Sequence, residues 1–485
     1  MKKSSFAILL FLLLGLFSIS IVGEKIPMND GAGFDGEFYR TVAENFTSDI
    51  LNKGYDNFRI QRIFPFFLIN LAFGTLGIEA THQNLMHAMI GLHYANLLLL
   101  IFLFCQMARH LRWKESTCIV LFACFFLNHF FLKNCGYELY QTDAFALSIA
   151  MGSYLLYLKG FHKAAIGVGS LGIITWPLVA EQIFILTLFH KKAEGSVPAI
   201  PNLVKKAFAP ATAGLYALVI LGITGVFLIT GNQHWLGILL HINPDITPSP
   251  VVTALSLVVF TGVLVIALRA IPWDIWVHPK EFIKKFPWKR FVLILGIALI
   301  SRLLLKHLSN DELVSNPIIF SLQILFRPIK YPLIPLAGLV VYYGILPCLI
   351  ILKFKEFCRA FSRQSLGHLI LLLIILGFSL DSESRHMTSF MPILLLPLGK
   401  VLDQMNLEKR AVAILVALQL LLSHFFFPIN TPELPEKLQN WDFNNWIAQR
   451  YFMNYGAFMD HHSYLIWLVL GILALICTRL AIKKH

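Results

Sequence analysis

The chain has 485 residues, 57% of them hydrophobic and only 14% charged, with a mean hydropathy of +0.69. That balance excludes an ordinary soluble enzyme and points to repeated stretches approaching the ~20 apolar residues that cross a bilayer. The net charge of +13 is distributed between apolar runs, which argues against nucleic acid as a partner and for attraction to anionic lipid.

The N-terminus, MKKSSFAILLFLLLGLFSISIVGEK, has the basic start and apolar core of a signal sequence but no small-x-small site before Glu24. It reads as an uncleaved anchor, with Lys2 and Lys3 holding the N-terminus in the cytoplasm. Residues 23–86 then form a first outer loop. Within it, Asp30, Asp35, Glu37, Glu44, Asp49 and Asp56 crowd together with Arg40, Arg59 and Arg62. Gly31, Gly33 and Gly36 allow tight turning between the first acids and bring Asp30 and Asp35 together. From Phe34 the spacing becomes helical: Phe34, Phe38, Val42 and Phe46 share one face, which predicts an amphipathic helix lying at the membrane interface. This loop is the candidate reactive site.

Apolar runs predict spans near 5–22, 87–108, 116–132, 143–158, 163–177, 178–190, 208–230, 251–269, 291–305, 333–353, 366–380, 390–403, 411–427 and 464–482. The run 63–78 is read as lying on the outer surface, and 163–190 as two short spans hinged at Trp176-Pro177. With that assignment most Lys and Arg face the cytoplasm and most Asp and Glu face outward, in keeping with the positive-inside bias. The expectation is an all-α bundle of about fourteen spans, one integral membrane domain over 1–485 with both ends cytoplasmic. The basic stretches 109–114, 191–206, 280–290 and 353–359 are then cytoplasmic. Only Cys135 among the seven cysteines faces outward, no CxxC pair occurs, and no disulfide framework or metal-ligand spacing is expected.

The other outer loops carry further candidates. Residues 134–145 bring Tyr137, Glu138, Tyr140 and Asp143 to the surface, Asp143 also being placed to cap the helix it begins. The loop 306–332 ends with Arg327 and Lys330 just before a span, where two cations suit a phosphate or snorkel at the interface. In DSESRHMTSFMP (381–392), Asp381, Glu383, Arg385 and His386 lie close to the membrane. Arg385 is the leading phosphate ligand because a guanidinium fork matches phosphate oxygens. The last outer loop, 428–463, is rich in Trp and Tyr, which belong at interfaces and also stack on sugars; His461 and His462 beside Asp460 are a weak metal signal.

FDGEFYRTVAENF and YDNFRIQRIFPFFL resemble the Asp-Gly-x-Phe-Tyr and Arg-x-x-Arg-x-x-x-Pro signatures of bacterial members of glycosyltransferase superfamily C. Ser384-Arg385-His386 followed by Phe390-Met391-Pro392 is similar to the late Arg-Tyr…Pro element of mannosyltransferase-like relatives. The resemblance implies a polyprenyl-phosphate-linked sugar as donor, a glycan, lipid or protein as acceptor, no required cofactor, and a location in the bacterial cytoplasmic membrane with the active face outside. It implies Asp35 as base with Asp30 and Glu37 as neighbours. Arg385, Arg327, Lys330, Arg59 and Arg62 fall around the donor phosphate, and Tyr39, Arg40, Glu138, Asp143 and His386 around the sugar or acceptor. Protein mannosyltransferase and lipid A aminoarabinose transferase relatives carry an adjacent Asp-Glu pair, whereas Gly36 separates Asp35 from Glu37 here, and His386 stands where Tyr is usual. An oligosaccharide polymerase or ligase uses similar donors on the same face. A secondary transporter or lipid flippase instead needs ionisable groups near the midplane and paired repeats; Arg302 is nearly the only charge deep in a span.

Cysteine labelling tests the topology. Thr75→Cys is expected to react with an impermeant reagent from outside intact cells and Ser196→Cys only after permeabilisation. Labelling of Ser196→Cys from outside overturns the hinge at Trp176-Pro177 as a point of return.

Overall fold

The computed structural model describes residues 3–33, 35–190, 202–231, 233–240, 249–272, 286–310, 317–380, 384–430 and 459–483. Among these the regular structure is helical throughout, with no strand. Phe34, residues 191–201 and 280–285, Asp381, Glu383 and residues 431–458, on which parts of the sequence reading fall, lie outside the described residues.

His82–Leu111 shows how the sequence builds the bundle. Thr81 caps it by accepting from Asn84 N, and Arg112 ends it in the left-handed conformation (φ 54°). Leu85, Met89, His93, Leu97, Leu100, Phe104 and Met107 are buried, a stripe at three- and four-residue steps. The opposite side exposes Leu98, Leu99 and Phe102. A helix apolar on both sides but packed on one is what a lipid-facing bundle helix requires. The same duality recurs in Pro250–Ala270, which buries Ser256, Leu257, Phe260 and Leu268, whereas Trp288–Leu308 buries only Ile294; each is 21 residues long and about 30 Å.

Among the described residues, five helices are long and apolar enough to cross a membrane, or seven if each of two bent pairs counts as one span. This is compatible with a multi-pass membrane protein. Breaks inside or beside the apolar runs divide them into shorter helices. Glu115–Phe126 and Phe130–Tyr137 meet at 44°, and Ile318–Ile329 and Ile334–Tyr343 at 99°. Residue 344, a glycine at φ 64°, interrupts the run 333–353, and His424 at φ 41° interrupts 411–427. The remaining apolar helices have 10–17 residues, or about 15–25 Å against a hydrocarbon core of about 30 Å.

Two local arrangements matter for the site. Phe64–Leu76 ends at left-handed Gly77 and packs on Gly36–Leu51, held by Asn70 Nδ2 donating to the carbonyls of Ala43 and Glu44. Residues 162–188 form a tight hairpin: His162–Ser170 runs back along Pro177–Leu188. A Cβ on Gly169 would lie 3.0 Å from Ile183 Cβ, and one on Gly172 2.9 Å from Ala180 N. The chain turns at Thr175-Trp176, where Trp176 is extended (φ −164°) and Pro177 opens the next helix.

Two expectations are corrected. The first-loop helix begins at Gly36, so Tyr39, Val42 and Ala43 form its buried side, with Phe38 and Phe46 packed at its margin. Thr142, not Asp143, is the N-cap of Asp143–Leu158, and no side-chain capping bond is made there. Cys135 is buried, and all seven cysteines are free thiols.

Gly136 approaches the first helix so closely that an added methyl group would overlap the Ser20 carbonyl. Gly136→Ala is expected to lower stability by about 1–3 kcal/mol through overpacking. Gly91→Ala, at a helical site with nothing within 4 Å, should stabilise by about 0.5–1 kcal/mol. Thermal unfolding of the purified variants reads both signs.

Candidate functional site

The first wall is the turn before Gly36. Asn29 and Asp30 adopt φ 50° and 53°, and Gly31 and Gly33 φ 85° and 81°. Asn29 Nδ2 donates to Gly33 O at 2.9 Å, and Arg40 Nη1 to Asn29 O at 3.1 Å. This reversal delivers Asp35 to the N-cap of Gly36–Leu51, yet its side chain makes no capping bond. Its carboxylate instead lies 4.0 Å from Arg59 Nη2. Asp56, buried, accepts from Phe58 N and Arg59 N at 2.8 Å and sits 3.7 Å from Arg59 Nη1, so it fixes the turn that presents Arg59 and Arg62. Gly36 allows a close approach: a Cβ there would be 3.0 Å from Tyr140 Cβ.

That neighbour belongs to the second wall, 137–148. His93 Nε2 bonds Leu139 O at 2.8 Å, Asn96 Nδ2 donates to Ala144 O at 2.9 Å, and Ile26 N donates to Tyr137 O at 3.0 Å. Pinned in this way, the segment carries Glu138 and Asp143 inward, 9% and 4% exposed. Burial pushes the Glu138 carboxyl from 4.5 up to about 7; Arg385 pulls it down, while Asp143 and Asp35 push it further up. Asp143 feels Arg385, Arg62 and His386, and its Oδ1 is buried with no hydrogen-bond partner.

The third wall is the helical turn Ser384–Phe390, buried where the sequence predicts a short outer loop. Ser384 Oγ donates to Gly338 O at 2.6 Å, Tyr343 Oη donates to Ser384 O at 2.7 Å, and Gln182 Nε2 donates to Ser389 Oγ at 2.9 Å. The turn thereby presents Arg385 and His386 to the acids. Arg62 closes the arrangement, its guanidinium between the Phe58 and Trp176 rings at 4.2 and 4.3 Å. Trp176 also packs on His386, with centroids 6.1 Å apart. Tyr39 stacks on Phe66 at 4.8 Å; burial pushes its phenol up to about 12, opposed by Arg62, which hydrogen-bonds it.

Asp35, Tyr39, Arg62, Glu138, Asp143, Arg385 and His386 therefore meet from three regions distant in sequence. Other candidates stand apart. Asp30 and Glu37 are exposed. Arg40 is committed to Asn29 O and to Glu44 at 3.7 Å. Arg327 and Lys330 are buried at the 99° bend, where Arg327 donates to Gln323 Oε1 and Lys330 feels Asp460 and Arg327. Asp460 caps the last helix by accepting from Ser463 N at 2.7 Å. Trp176 and Gln182 also line the site; the sequence marks Trp176 only as the hinge before Pro177 and Gln182 only as part of a span. No group of three or more His, Cys, Asp or Glu among the described residues is placed to hold a metal ion.

Chemically, two guanidinium groups suit an anion, and the adjoining carboxylates accept from hydroxyl or amine groups. No family model matches the chain, and no curated protein or solved structure matches it.

Glu138 gives a pH test. Its raised pKa means that the folded state prefers the protonated form. The resulting stability is complete below about pH 4.5 and is lost as pH rises through about 7. The melting temperature of the purified protein should fall over that interval, and Glu138→Gln should flatten the fall. An unchanged slope in the variant removes Glu138 as the titrating group.

Proposed function

We propose that this chain is a membrane glycosyltransferase that moves a sugar from a polyprenyl-phosphate donor to an acceptor hydroxyl at the outer face of a bacterial cytoplasmic membrane. The observation that carries this reading is the convergence of Asp35, Glu138 and Asp143 with Arg62, Arg385 and His386. Group transfer from a lipid phosphate needs a base beside cations, and both are supplied by segments that lie next to apolar helices. A fold like that of superfamily C, with about fourteen crossings, some made of paired short helices, belongs to the same proposal.

In this mechanism Asp35 takes the proton of the acceptor hydroxyl while its oxygen attacks the anomeric carbon. The bond from that carbon to the phosphate oxygen breaks, the configuration inverts, and polyprenyl phosphate leaves with the bonding electrons. Arg385 and Arg62 stabilise the charge that develops on the phosphate. The Phe58 and Trp176 rings both stand within cation–π distance of the Arg62 guanidinium, a stacking a lysine does not reproduce. Asp143 and Glu138 receive hydroxyl groups of the sugar, and the open Oδ1 of Asp143 has the acceptor character for it. Arg59 orients Asp35 across 4.0 Å. Arg327 and Lys330, beside Asp460, take a supporting place outside the reacting group.

Asp35→Asn should lower turnover by about 10²–10⁴, the usual share of a general base, with protein level and donor affinity nearly unchanged. Asp30→Asn and Glu37→Gln, exposed positions, should cost much less. In donor-binding measurements, Arg385→Lys should weaken affinity and Arg385→Ala weaken it more. Full transfer activity in Asp35→Asn, with loss in Asp30→Asn, moves the base by five residues. Activity in all three acid variants refutes the transferase reading.

A further inference from the structure

On the far side of Tyr137 from Glu138 in the chain, a separate cavity of about 260 Å³ opens between the end of the first helix, the 130–137 turn and residues 425–428. Its floor is polar. Lys133, a tenth exposed, donates to Glu24 Oε1 at 2.7 Å. Glu24 is further saturated by Ile429 N on Oε1 and Asn430 N on Oε2, at 2.7 and 2.8 Å. Tyr137 Oη donates to Asn430 Oδ1 at 2.8 Å. The rim is apolar and open: Ile19, Phe426 and Phe427 are 71%, 48% and 51% exposed. Ile19 continues an outward apolar face with Ile8, Phe11 and Val22, the side of a first helix that meets acyl chains in a bilayer.

A lysine carries three N–H donors, and Glu24 takes one of them. The Glu24 charge is already met by two backbone N–H groups as well as by Lys133, so the ammonium retains donors for an oxyanion. We propose that this cavity seats a membrane phospholipid, with its phosphodiester on Lys133 and its acyl chains leaving past Ile19, Phe426 and Phe427. The lipid enters sideways from the bilayer, which explains an apolar mouth over an ion-paired floor. Because Tyr137 lines the seat and precedes Glu138, the bound lipid braces the segment that carries the buried carboxylates. The seat stands whether or not the chain transfers a sugar.

Thermal unfolding of the detergent-purified full chain, titrated with dioleoylphosphatidylglycerol, tests this. The melting temperature should rise with this lipid and stay flat with dioleoylglycerol, which lacks the phosphate, and with inorganic phosphate, which lacks the chains. Lys133→Met should weaken the apparent affinity about tenfold or more, the size of one charge-assisted hydrogen bond. Ile19→Trp, at an exposed position, should block the mouth and reduce retained phospholipid in native mass spectrometry while the protein stays folded. An equal response to dioleoylglycerol or to inorganic phosphate overturns the proposal, as does wild-type lipid retention in Ile19→Trp. If Lys133→Met does not fold, the Ile19→Trp arm and the two control ligands decide.

Discussion

Two carboxylates, Glu138 and Asp143, lie buried together, and an uncompensated pair of that kind would cost several kcal/mol per charge. The cations that offset them come from elsewhere: Arg62 from the first loop and Arg385 from a turn more than three hundred residues later. Each cation needs its own support. Arg62 is held between Phe58 and Trp176, and Arg385 rides on a turn anchored by Tyr343 and by the Ser384 bond to Gly338. The convergence of these charges therefore constrains the 162–188 hairpin, the bend near residue 330 and the position of the first-loop helix at once. Partial compensation leaves Glu138 titrating near neutrality, a state that general acid–base chemistry and hydroxyl binding both use.

Much of this was readable before any coordinates. Hydropathy and the basic stretches located the helical segments, and the glycine-spaced acids marked the first loop. The Trp176-Pro177 pair marked the hairpin turn because proline cannot continue a helix upstream of itself. Of the phosphate candidates, Arg385 and Arg62 join the carboxylates, whereas Arg327 and Lys330 lie with Asp460. Composition could not separate these pairs, since all four stand at the edge of an apolar run. Which cation meets which acid is decided by tertiary approach, through contacts such as Gly36 against Tyr140.

The division of the apolar runs into separate helices was the least legible feature, for a related reason. Leu333, Gly344, Asn406 and His424 all take positive φ. Each redirects the backbone within or beside a hydrophobic stretch without changing its average hydropathy. A window that sums transfer energies sees one long run, while the chain makes two shorter helices at an angle. Broken helices free backbone groups that other elements must satisfy. Here Gln419 does so, donating to the Leu127 carbonyl and accepting from Ile345 N.

The Glu24 knot has a consequence for how the molecule is made. Its carboxylate grips the backbone at Ile429 and Asn430, 405 and 406 residues downstream. Synthesis proceeds at about 5–20 residues per second, so the C-terminal end of the first helix waits tens of seconds for its partners. For the first part of that interval Glu24 has no partner of this knot, and once Lys133 is made the two have only each other until residues 429 and 430 follow. Nascent chains released before residue 429 should thus be preferential substrates for membrane quality control, even with every upstream helix already in place.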